Sequence, residues 1–220
     1  MPSASNFSKE HAPEDLLMRI SSAPLLAAVL ALTLTASAAR VGAPAPEFTG
    51  TDSHGQPHHL SDYRGKFVVL EWTNNGCPFT RKHYDSGNMQ KLQEEWTARG
   101  IVWLTILSSA PGKQGYMTAS EENAYMAHQH AAPTAAILDP TGSIGRLYEA
   151  KTTPDMYVID PSGKLIYSGA IDDHPAPDVA DIPLSKNYVS AALTEAMSRQ
   201  TITVAYTHPY GCGVKYSGSE

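Results

Sequence analysis

The chain has 220 residues, 42% hydrophobic and 17% charged, which suits one globular domain with a good-sized core and terminal extensions. Its formal net charge is -6 without long runs of one sign, and this excludes the basic footprint that DNA, RNA or an anionic membrane would require. Two cysteines, Cys77 and Cys212, are too few to staple a small scaffold, so each must be read from its surroundings.

Residues 1–39 read as a leader. Pro24 to Leu34 is apolar, Arg19 precedes it, and Ala36-Ser37-Ala38 has the small-x-small pattern of a signal-peptidase site, so cleavage is expected after Ala38 or Ala39. Before Met18, Glu10, Glu14 and Asp15 outnumber Lys9, which is not the positive start of such a leader; Met18-Arg19 would begin it better. The apolar core is about a dozen residues, short of the roughly 20 that span a bilayer. Export to a periplasmic or extracellular space, with no membrane span after cleavage, is the expectation.

The folded domain is expected over residues 40–200. After the Pro-rich opening Gly42-Ala-Pro-Ala-Pro46, Asp52-Ser-His-Gly55 reads as a turn between short strands, and Asp62-Tyr-Arg-Gly65 leads into Phe67 to Trp72. That strand is nearly unbroken apolar, as a strand buried on both faces should be. A helix follows from Pro78, which favours the first helical position because it has no N–H to leave unpaired. The helix runs to about Arg99 with a break near Asp85-Ser-Gly87, and Ile101 to Leu107 is a second buried strand, giving a βαβ unit and an α/β fold. Thr118-Ala-Ser-Glu121 is a capping box that opens a helix to about Ala131. Ala135 to Leu138 is a strand, Ile144 to Tyr148 a short helix, and Met156 to Ile159 with Leu165 to Gly169 a hairpin closed by Asp160-Pro-Ser-Gly163. Asp172 to Pro183 reads as a surface loop and Tyr188 to Ser198 as a helix, and residues 201–220 form a tail that carries Cys212.

Cys77 lies where the first long strand passes through Asn74-Asn-Gly76 into a helix. Unpaired backbone N–H groups and the helix dipole there favour a thiolate over a thiol whose ordinary pKa is about 8.5. Arg81, one turn on, would add positive charge on the same face. Cys212 sits between glycines, so its backbone is expected to be mobile or turned. Trp72, Trp96 and Trp103 read as core. His58 and His59 alternate faces, His128 and His130 are poorly spaced for one helical face, and these and His83 read as surface residues, so no metal site is expected. No phosphate loop or serine elbow is present, and no cofactor is expected.

Four stretches carry a resemblance: Gly42-Ala-Pro-Ala-Pro-Glu-Phe48, Asp62-Tyr-Arg-Gly-Lys66, Asn75-Gly-Cys-Pro-Phe79 and Thr153-Pro-Asp-Met-Tyr-Val-Ile-Asp-Pro-Ser-Gly163. Together with the order of elements they resemble the redoxin branch of the thioredoxin-like superfamily, the peroxiredoxin-like and thiol-disulfide proteins related to alkyl hydroperoxide reductase and thiol-specific antioxidant. The match runs from Val41 to Gly169, and the tail Pro209-Tyr-Gly-Cys-Gly-Val-Lys215 is similar to that of exported members. The resemblance implies a three-layer fold with a central mixed sheet. It also implies a cis Thr153-Pro154 bond facing the cysteine, where the backbone would pair with an extended substrate chain.

Two departures separate this chain from the family's usual sites. Asn74 stands where a Cys-x-x-Cys pair ending at Cys77 would begin. Asn74 also takes the place of the peroxiredoxin hydroxyl and Leu70 that of its proline, with Thr73 offset by one. The reading that follows is an exported thiol oxidoreductase, peroxidase-like and antioxidant, acting on a peroxide or a protein disulfide and restored by an external thiol. Cys77 is the nucleophile, Cys212 the candidate resolving thiol, Arg81 a thiolate stabiliser, and Thr73, Asn74, Thr153 and Pro154 substrate contacts. The alternative is a non-enzymatic binding module with a structural Cys77–Cys212 disulfide.

Overall fold

The computed structural model describes residues 39–218, so the leader reading falls outside the described residues apart from Ala39. Strands β1 (Thr49–Asp52), β2 (Pro57–His59), β3 (Val68–Trp72), β4 (Val102–Leu107), β5 (Ala135–Leu138), β7 (Asp155–Ile159) and β8 (Leu165–Gly169) form one sheet in the order β2-β1-β5-β4-β3-β7-β8. β4 runs parallel to β3 and β5, while the other pairs are antiparallel, so the sheet is mixed. Two short strands, β6 (Thr152–Thr153) and β9 (Cys212–Gly213), pair with each other apart from it.

Both faces of the sheet are covered, which is why β3 and β4 carry almost no polar residues. Leu70, Trp72, Leu104, Ile106 and Ile137 pack on one side with Phe48, Tyr148 and Tyr157. Val69, Trp103 and Val158 pack on the other against helices α1 (Pro78–Asp85), α2 (Asn88–Ala98) and α5 (Tyr188–Met197) through Tyr84, Met89, Leu92, Trp96, Val189 and Leu193. Helix α3 (Ala119–Gln129) lies on this second side, its Tyr125 ring 5.9 Å from that of Tyr84, and α4 (Ser143–Tyr148) on the first, through Ile144 and Tyr148. This is the thioredoxin-like arrangement that the order of elements implied. All three tryptophans are core residues, with none more than 1% exposed.

The helix boundaries have local causes. Gly87 at φ +73 takes the left-handed turn that separates α1 from α2. At α3 the Thr118 hydroxyl accepts from the Glu121 N–H and the Glu121 carboxylate accepts from the Thr118 N–H, which completes the capping box. The Asp- and Pro-rich loop contains a 3-10 turn at Val179–Leu184 that its composition did not announce.

Glu71 interrupts the apolar run of β3 and is fully buried. Burial pushes its carboxyl up, and donors on Trp103 Nε1 (2.7 Å), Tyr84 Oη (2.9 Å), Gln93 Nε2 (3.2 Å) and Thr105 Oγ1 (3.4 Å) oppose that shift. Glu122 on α3 is as deeply buried, and neither of its oxygens has a hydrogen-bond partner among the described residues. Burial, and then the charge of Glu71, raises Glu122 from 4.5 to about 7. Between those values the folded chain holds a proton that the unfolded chain releases, so stability falls as pH rises through this window. Glu122→Gln should therefore gain on the wild type from pH 4.5 to about 7 and keep a constant advantage above it, read as the difference in urea midpoints. A pH-independent difference would contradict the assignment.

Candidate thiol site

The loop between β3 and α1 is held by its own amides. Asn74 Oδ1 accepts from the Gly76 N–H at 2.9 Å, and its Nδ2 donates to Gln114 O at 3.2 Å. Gln114 Nε2 returns a bond to Gly76 O at 2.9 Å, so two loops are laced together beneath the cysteine. Cys77 caps α1 with extended backbone (φ -83, ψ 123), Pro78 takes the first helical position, and the Cys77 carbonyl accepts the first helical bond from Arg81 N at 2.9 Å.

The facing wall is the Thr153-Pro154 bond, which is cis. The Cys77 thiol donates to Thr153 O at 3.0 Å. β6 and β9 pair with Thr153 opposite Cys212, and this register brings the second cysteine to the first. Gly211 makes it fit: its φ is +138, and a Cβ there would lie 2.1 Å from Thr153 O. The tail therefore lies along the cis-proline edge. Cys212, expected to be mobile or turned, is instead in a paired strand.

Both cysteines are thiols, Cys77 buried and Cys212 half-buried. Burial pushes Cys77 up, but hydrogen bonds from the Cys212 thiol, then the Thr153 side chain and the Thr80 backbone N–H, outweigh it and hold Cys77 below the ordinary cysteine value. Cys212 moves the opposite way, up to about 11, because of burial and then because it donates to Cys77. The Thr153 carbonyl favours a protonated Cys77 and the other groups favour the thiolate; the second set wins. The pair is thus asymmetric, with the lowered thiol at 77 and the raised one at 212.

Cys77, Cys212, Thr153 and Pro154 come together, and the other proposed site residues do not all join them. Arg81 points outward and pairs with Asp85 at 3.2 Å, a surface i,i+4 contact. Asn74 spends its amide on the loop, and the buried Thr73 hydroxyl has no partner among the described residues. His83, expected at the surface, is buried, and burial, partly offset by Asp172, lowers it to about 4. Thr80, buried in the first turn of the helix that Cys77 caps, is a neighbour that the sequence reading did not single out. Lys82, Asp172 and Tyr210 were also missed, because a lysine on a helix and an aspartate in a polar loop carry the signal of surface residues.

Removing the Cys212 thiol takes away the leading donor, so in Cys212→Ala the Cys77 titration should move to higher pH, measured by thiolate ultraviolet absorbance. Gly211→Ala, which displaces the strand, should move it the same way with both cysteines present. An unchanged titration in both would show that the contact does not set the acidity of Cys77.

Comparison with known proteins agrees with this geometry. The thiol-disulfide oxidoreductase ResA of Geobacillus thermodenitrificans is 26% identical over 156 residues, covering 68% of this chain and 84% of the relative, and the protein of the same name from Geobacillus kaustophilus matches equally. In fold the chain is similar to a hypothetical protein of Sinorhizobium meliloti (TM-score 0.71, 20% identity, covering 83% of this chain and 98% of that one). An uncharacterized conserved protein of Geobacillus kaustophilus is similar too (TM-score 0.70, 21% identity, covering 82% and 94%). The sequence model of the AhpC/TSA family matches residues 41–168, the span that holds Cys77, the cis proline and the central sheet. With more than half its length matched, the chain belongs to the AhpC/TSA family.

Proposed function

We propose that the protein is an exported thiol peroxidase-like oxidoreductase in which Cys77 and Cys212 form one redox couple. The observation that carries this reading is the register of β6 and β9, which sets Cys212 opposite Thr153, the residue whose carbonyl accepts from the Cys77 thiol at 3.0 Å, so that both cysteines meet the same residue. The Cys77 thiolate attacks one oxygen of a peroxide and the O–O bond breaks. The departing oxygen leaves as hydroxide or alkoxide and takes up a proton, and Cys77 becomes a sulfenic acid. The Cys212 sulfur then attacks that sulfur, forming the disulfide and releasing water. An external dithiol reduces the disulfide and is itself oxidised.

A small oxidant suits the site better than a folded protein does. Cys77 is buried, and the Thr153 edge, where an extended substrate chain would pair, is taken by the protein's own tail. The second reading, exchange with a disulfide substrate, is favoured by the name that the ResA relatives carry. It uses the same couple: Cys77 attacks the substrate disulfide and Cys212 resolves the mixed disulfide. Placement outside the cytoplasm rests on the Ala36-Ser37-Ala38 leader pattern.

After reduction and one equivalent of hydrogen peroxide, mass spectrometry should find a Cys77–Cys212 disulfide in the wild type and a dimedone-trapped Cys77 sulfenate in Cys212→Ser. An unmodified Cys77 in folded protein removes the peroxide reading. Reaction with a dithiol-derived disulfide alone then leaves exchange as the activity, and a disulfide that no dithiol reduces leaves a binding module.

A further inference from the structure

Tyr210, two residues before Cys212, donates its hydroxyl to Asp172 Oδ1. The other oxygen of Asp172 lies 3.4 Å from the Lys82 ammonium, which also donates to His174 O at 2.9 Å. Lys82 and Asp172 are 1% and 3% exposed, so this is an ion pair withdrawn from water. His83 Nε2 is 3.8 Å from the same carboxylate oxygen, but burial keeps that imidazole neutral at pH 7, so the ion pair of Asp172 is the one with Lys82. The Tyr210 ring meets Phe79 edge-on at 5.9 Å, and Lys82 Nζ lies 5.9 Å from the Tyr210 ring centre.

Phe79 and Lys82 belong to α1, the helix that Cys77 caps. One short helix therefore carries both the nucleophile and the anchor of its partner's tail. A buried ion pair is a poor source of net stability, since desolvation offsets its attraction, and an apolar residue of similar volume would serve the core as well. What this pair supplies and an apolar one does not is a fixed charged acceptor for one hydroxyl of the tail, and such bonds are stronger and more directional than neutral ones.

We propose that Lys82 and Asp172 are positioning residues for the thiol chemistry: they fix Tyr210, and through it the register of β9, so that Cys212 and no outside thiol meets the oxidised Cys77. The proposal rests on the two-cysteine reading given above. Tyr210 acts through the tail and touches neither sulfur nor oxidant. The latch lies on the N-terminal side of Cys212, and its effect should be legible on the far side, at the Val214 N–H that donates to Lys151 O at 3.0 Å.

Tyr210→Phe keeps the ring and removes the hydroxyl. Hydrogen exchange at the Val214 amide should then accelerate about tenfold while β4 amides are unchanged, as expected for the loss of one charge-assisted bond from a locally opening segment. Under one equivalent of peroxide, dimedone should trap several-fold more Cys77 sulfenate than in the wild type, since ring closure competes less well with trapping. Asp172→Asn, which keeps an acceptor but loses the charge, should fall between, and it decides the matter if Tyr210→Phe does not fold. Tyr206→Phe, at an exposed tyrosine of the same tail, should change neither readout. Unchanged Val214 exchange overturns the proposal, and so does a loosened tail with no gain in trapped sulfenate. If the wild type forms neither sulfenate nor disulfide, the peroxide reading fails, and the amide exchange still decides the latch.

Discussion

Cys212 reaches Cys77 because β9 pairs with β6 in the one register that sets Thr153 opposite Cys212, and a small residue at 211 lets the two backbones close. Everything distinctive about the site follows from that short ladder. The Thr153 carbonyl accepts from the Cys77 thiol, the loop amides of Asn74 and Gln114 brace the turn that leads into Cys77, and the tail lies along the far side of Thr153. Shift the ladder by one residue and the cysteine side chain would point to the opposite face of the strand.

The two sulfurs also sit in unlike surroundings. Cys77 gathers donors that outweigh its burial, while Cys212 is raised first by burial and then by its contact with Cys77. Only the second lies beside solvent to any extent. The two thiols are thus shifted in opposite directions, and neither shift comes from a neighbouring arginine. Arg81, the cation closest in sequence to this role, is turned toward Asp85 instead.

Most of the fold was legible because the signals behind it are local. Apolar runs at Val68–Trp72 and Val102–Leu107, the break at Gly87, the Thr118 capping box and the Asp160-Pro-Ser-Gly163 hairpin each state their structure within a few residues. The site was legible only in part, for the same reason. Cys77 announces itself by its place before Pro78, but its contact with Cys212 depends on a ladder between distant segments. Lys82, Asp172 and Tyr210 have nothing in their neighbours to mark them as buried; their meaning exists only when three separate segments meet. Glu71 hid in a strand that reads as apolar because its four donors come from β4, α1 and α2.

The ladder between β6 and β9 ties the environment of Cys77 to a segment far from it in sequence. Cys212 stands 135 positions after Cys77 (212 minus 77), and β6, the strand that receives it, lies between them in sequence. Any opening of this ladder that leaves the rest of the fold in place takes the second thiol away from Cys77. The surroundings of Cys77 are therefore set by a local equilibrium, the opening and closing of one short strand pair, and not by the stability of the whole domain.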